Sequence, residues 1–276
     1  MPHRHARVFA VLFAAVLFMA PTSMFATHSW GGYHWARTAN PFTIKLGDNL
    51  SSADWEGHLA QTSSDWSKSN VMDTTIVPGG ATGRKCRPVS GTVQVCNASY
   101  GNNGWLGLAQ IWLASGTLHI TQGTSKMNDT YFDTSTYNNA NEREHVMCQE
   151  VGHTFGLDHQ DTSGASLNTC MDYFSNTGSN AGSTLSTTPN QHDYDELGII
   201  YSHLDSSTTI AFSPFGNGLA FGGEDEDLDG PNAWGHVVDA TVDGRTTTYE
   251  RDFPNGKLLT FVIWADRAHG NGNGNN

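Results

Sequence analysis

The residue types best equipped for chemistry lie in one stretch, Gln149-Glu150-Val151-Gly152-His153-Thr154-Phe155-Gly156-Leu157-Asp158-His159. In a helix, positions 149 and 153 are one turn apart, about 5–6 Å along one face, so their tips can converge on one ion. Glu150 lies beside that face and can reach a metal-bound water without ligating. Gly156 can take the left-handed conformation that ends a helix and reverses the chain, which brings His159 back toward His153. A Zn²⁺ ion in a catalytic site takes three side-chain ligands and keeps one position open for water. Bound there, that water has a pKa of roughly 7, so hydroxide is available near neutral pH.

The segment resembles the metzincin zinc-protease signature HExxHxxGxxH, with Gln149 standing where the family has its first histidine. Cys170-Met171-Asp172-Tyr173 follows at a spacing suited to the family's Met-turn. The likeness is to the matrixin-like branch; it covers roughly residues 33–204 and is specific in these two motifs. It implies an α+β fold, in which a mixed twisted sheet carries an active-site helix and a Met-turn. It also implies a Zn²⁺ cofactor and a polypeptide substrate. By that resemblance His153, His159 and Gln149 are the metal ligands, Glu150 is general base and proton shuttle, and Met171 lies beneath the metal. Tyr173 would stabilise the tetrahedral intermediate, and Thr117–Thr121 or its neighbour would be the edge strand that pairs with an extended substrate.

A glutamine oxygen is a neutral and weaker donor to Zn²⁺ than imidazole, so three outcomes stay open at position 149. Gln149 ligates or leaves a water in its place; another histidine substitutes; or the site is metal-poor and inert. His145 is one turn before Gln149 but about 6 Å displaced, and His192 could approach from the next helix. The function these residues imply is a zinc-dependent endopeptidase. The alternative is a non-catalytic secreted binding protein that keeps the cleft.

The elements that must position these residues can be read coarsely. Tyr33 to Leu46 reads as strand with a break at Pro41. Ser51 or Ser52 caps a helix in which Trp55, Leu59 and Trp66 recur near helical spacing. Strand patterns follow at Val71–Val77, Gly91–Cys96, Leu106–Leu113 and Thr117–Thr121, and Asn141–Phe155 reads as helix. A Ser/Thr/Asn/Gly-rich loop covers 161–189, and Leu197, Ile200, Tyr201 and Leu204 mark a last helix. By the resemblance, residues 27–205 are expected to form the metzincin-like catalytic domain. Residues 206–267 read as a small β appendage with strands at Trp234–Asp243 and Lys257–Trp264, and 268–276 as a disordered Gly/Asn tail.

Composition narrows the setting. A formal net charge of -13 over 276 residues argues against nucleic acid or an anionic membrane as partner. Residues 1–26 carry Arg4 and Arg7, then an apolar run from Val8 to Ala20, the layout of a secretory signal and too short to span a membrane. The expected protein is secreted, monomeric and without a transmembrane segment. The four cysteines allow three pairings; export favours two bridges, and proximity suggests Cys86–Cys96 and Cys148–Cys170. The second would staple the active helix to the Met-turn. Asp225-x-Asp227-x-Asp229-Gly230 resembles the start of a Ca²⁺ loop but lacks the glutamate at its twelfth position, and a solvated acidic linker is the competing reading.

Overall fold

A computed structural model describes residues 27–80, 83–210, 227–242 and 244–265. The leader, the acidic run through Glu226 and the C-terminal tail lie outside them. Thirteen elements follow one another in the chain: β1 (His34–Trp35), β2 (Phe42–Asn49), α1 (Ala53–Trp66), β3 (Met72–Pro78), β4 (Thr92–Ala98), β5 (Trp105–Ala114), β6 (His119–Asn128), α2 (Asp129–Phe132), α3 (Ala140–His153), α4 (Gln191–Ile200), β7 (His236–Ala240), β8 (Thr246–Phe253) and β9 (Gly256–Trp264). All the strands join one mixed sheet of order β3-β2-β4-β6-β5-β9-β8-β7, with β1 beside the start of β6. β2, β3, β4 and β6 are parallel neighbours, whereas β5, β9, β8 and β7 continue antiparallel.

Local chemistry explains the main elements. Ser52 caps α1 by accepting from the Trp55 amide, and Asn139 caps α3 by accepting from Glu142. Both satisfy orphan donors of a first turn. Pro41, preceded by a cis peptide, separates β1 from β2. The two helices pack on the sheet face that presents Ile44, Leu46, Val95, Ala109, Ile111, Leu259 and Phe261, with Trp35, Trp66, Val151 and Phe155 filling the space between. A smaller cluster on the other face joins Tyr100, Trp105 and Leu108 to Trp234 and Val262.

Three expectations change. Thr117–Thr121 is the start of the longer β6, which is interior, flanked by β1, β4 and β5. Its neighbour β5 is hydrogen-bonded on both sides, to β6 and β9, so neither strand offers a free edge. The polar run Thr246–Phe253 forms an additional strand. Finally, the strands after residue 230 extend the main sheet through β9 instead of making a sheet of their own. Apolar alternation in β9 (Leu259 and Phe261 on one face, Leu258 and Val262 on the other) lets both faces bury and favours an interior position.

Candidate metal centre

The end of α3 and the turn after it bring the two histidines together. Gly156 has φ +92°, and a Cβ there would strike the Tyr33 carbonyl, so only glycine fits the reversal. The chain then returns so that His153 Nε2 and His159 Nε2 lie 3.1 Å apart. Two nitrogens of a tetrahedral zinc site, each about 2.05 Å from the ion, are about 3.3 Å apart. His153 Nδ1 is 2.8 Å from the Leu157 carbonyl, which can only accept, so its hydrogen sits on Nδ1 and Nε2 presents a lone pair. His159 Nδ1 is 3.0 Å from the Tyr173 hydroxyl and 3.3 Å from Asp158 Oδ1. In the metal-free network His159 Nε2 donates to His153 Nε2. With an ion in place of that shared hydrogen, His159 carries its hydrogen on Nδ1, where Tyr173 and Asp158 can accept it.

Burial sets the charge states. Loss of solvent pushes both imidazoles down to about 3, with the neighbouring histidines adding repulsion, so both are neutral near pH 7 and in the ligating form. Burial also holds the Glu150 carboxyl well above the usual range. Among the described residues, neither Glu150 oxygen has a hydrogen-bond partner. The carboxyl packs against β5 at Gly107, where an added Cβ would come within 2.5 Å of Glu150 Oε1.

Met171 packs against the last turn of α3, where a Cβ on Gly152 would lie 2.6 Å from its sulfur. The bridges Cys86–Cys96 and Cys148–Cys170 both form, the second joining α3 to the segment that carries Met171.

Gln149 takes a different part. Its Nε2 donates to the Cys170 and Asp172 carbonyls, each at 2.8 Å. Two acceptors fix which end of the amide is nitrogen, so the side chain secures the turn and only Oε1 is left for an ion. Among the described residues, no third His, Cys, Asp or Glu atom lies within 4.8 Å of both Nε2 atoms. His145 Nδ1 faces Asn176 Oδ1 at 3.2 Å, and His192 stacks on His28 at 4.9 Å, so neither replaces the missing imidazole.

The site is covered. Phe261 of β9 stacks on His153 with ring centroids 4.4 Å apart and 7° between planes. The Thr246 hydroxyl of β8 bonds the Tyr173 hydroxyl. His153 and Glu150 are completely buried. The Ca²⁺ reading fares less well: Asp229 Oδ1 is paired with Lys126 Nζ at 2.7 Å, and Asp227 Oδ1 caps the Asp229 amide.

A second group of possible ligands was not visible in the sequence reading. His34, His203 and Asp205 place one ligating atom each within 4.8 Å of the others. No sequence spacing announces it, because its members come from opposite ends of the region.

No family model matches the sequence, and no curated protein matches it. Among solved structures the chain is distantly similar to myroilysin, a metalloprotease, at 14% identity and a TM-score of 0.37. That similarity covers 63% of this chain and 98% of the other. No helix among the described residues is long and apolar enough to cross a membrane.

Proposed function

We propose that the chain is a secreted zinc-dependent endopeptidase of metzincin type, with residues 27–205 as its catalytic region. The observation that carries this reading is the pair of facing Nε2 atoms, 3.1 Å apart, one turn from a buried carboxyl without a partner. An isolated buried carboxyl is costly, and a structural role for Glu150 would have given it a hydrogen bond. His153 and His159 would hold zinc, with Gln149 Oε1 as the third ligand. Zinc supplies a water acidic enough to attack a peptide carbonyl at neutral pH. Glu150 would be the base that takes the proton of such a water. Tyr173 contacts His159 Nδ1 and would be the hydroxyl that stabilises a developing oxyanion. The two disulfides are compatible with an extracellular setting.

Glu150→Gln tests this: zinc content stays and peptide hydrolysis falls by about 10²-fold or more. Equal hydrolysis by both forms rules the mechanism out. One observation favours a second reading, a non-catalytic binding protein. Gln149 is committed to the turn through two hydrogen bonds, which a metal-poor descendant could keep for stability alone. Failure to bind zinc at His153 would select it.

A further inference from the structure

We propose a second metal site, separate from α3, in which His34, His203 and Asp205 hold a divalent transition-metal ion, Zn²⁺ by ligand chemistry. His34 in β1 and His119 in β6 are register partners on adjacent parallel strands, and His203 and Asp205 arrive from the segment after α4. His34 Nε2 and His203 Nε2 are 3.2 Å apart. Asp205 Oδ1 lies 3.2 Å from His119 Nε2, 3.6 Å from His34 Nε2 and 3.7 Å from His203 Nε2. The three separations among His34, His203 and Asp205 approximate the edges of one face of a tetrahedron of ligands around zinc, about 3.3 Å long. Asp205 Oδ1, already hydrogen-bonded to His119, cannot also be a well-placed acceptor for His34 and His203, whereas one ion can take the His34, His203 and Asp205 atoms together.

The surroundings are arranged as for ligands. His34 Nδ1 meets the Gly32 carbonyl at 2.7 Å, which fixes the hydrogen there and leaves Nε2 as a lone pair. Asp205 turns its other oxygen to Arg37, bonding the backbone amide at 3.1 Å and the guanidinium at 2.9 Å. Arg37 also donates to the His203 carbonyl. The His203 side chain is 53% exposed, so an ion can enter. Three protein ligands leave a fourth position for water, and His119 steadies Asp205 Oδ1 from the side. The ion would pin β1 to the chain after α4, and Trp35 of β1 supports the candidate centre by donating to the Thr154 carbonyl at 2.9 Å.

The test loads metal-free protein with Co²⁺ or Zn²⁺ alone, comparing wild type, His203→Ala and His153→Ala. The expected result is loss of one equivalent in His203→Ala, with a tetrahedral Co²⁺ spectrum still present in His153→Ala. Chelator should lower the melting temperature of wild type more than that of His203→Ala. His203 is exposed enough for its removal to leave the fold intact. Equal metal content and equal chelator response in wild type and His203→Ala would overturn the site.

A different observation carries a second proposal, which rests on the peptidase reading. We infer that the β8–β9 hairpin is an internal plug lying where an extended substrate would pair. β9 is antiparallel to β5 across nine register pairs, β5 is the strand against Glu150, and the hairpin places Phe261 on His153 and Thr246 on Tyr173. Activity then requires the hairpin to leave β5. Phe261→Ala should release zinc to a coloured chelator and cleave peptides about tenfold faster or more, with Thr246→Val as the milder variant should the first not fold. Zinc bound at His153 with release and cleavage unchanged in both variants overturns the plug and spares the peptidase reading. No zinc at His153 overturns the peptidase reading itself.

Discussion

Replacing Gln149 by histidine restores a third imidazole and separates the two parts this position can play. The side chain now donates two hydrogen bonds to buried carbonyls of the Met171 turn. Each contributes about 0.5–1.5 kcal/mol, so Gln149→His should destabilise the metal-free protein by about 2 kcal/mol. For a chain of this size that corresponds to a fall in melting temperature of about 4–8 °C. With zinc the order reverses. A third nitrogen one turn from His153 should tighten binding by at least about a hundredfold, beyond what outer partners of a site contribute, and saturating zinc should raise the melting point above that of the zinc-loaded wild type. Calorimetry with and without zinc, together with competition against a chromophoric chelator, measures both halves. Unchanged affinity with a lower melting point under both conditions would show that position 149 does not face an ion.

Further outcomes follow from individual residues. Glu150→Met removes a buried carboxyl without partners and should stabilise the metal-free fold by about 1–3 kcal/mol while abolishing hydrolysis; denaturant titration showing a loss of stability would refute the orphan reading. Gly156→Ala forces a side chain into a left-handed residue facing the Tyr33 carbonyl and should cost about 3 kcal/mol or more, seen as a lower denaturation midpoint. Burial, opposed by the Asn176 amide and the Ser175 hydroxyl, raises the Glu142 carboxyl from 4.5 to about 7. The native state then holds the proton more tightly than the unfolded chain, so this contribution is full below about pH 4.5 and is lost as pH rises toward 7, an effect of order 3 kcal/mol. Stability curves of wild type and Glu142→Gln should diverge in that window, with the variant losing less.

What the sequence made legible was local. Ser52 and Asn139 mark helix starts through their own side chains, Pro41 marks a break, and Gly156 marks a reversal that no other residue fits. The nearer cysteines pair as proximity suggested. Long-range facts were hidden. β8 is written in threonine and charge, so its burial depends on β9, and β9's place beside β5 joins residues about 150 positions apart. Such a pairing leaves no periodic trace in either strand. Gln149 reads as a weakened ligand from spacing alone, yet its role in holding the turn requires knowing that the Cys170 and Asp172 carbonyls lie opposite it. The His34, His203 and Asp205 cluster is scattered over the chain, and no spacing in the sequence announces it.

The central claim is that His153 and His159 hold zinc, and metal counted per folded chain tests it most directly. Wild type, His153→Ala, His203→Ala and the double variant should be loaded with zinc, dialysed against metal-free buffer and analysed for the element. The account predicts about two ions in wild type, about one in each single variant and none in the double variant. A zinc content that does not fall when His153 is removed, in either background, would contradict it.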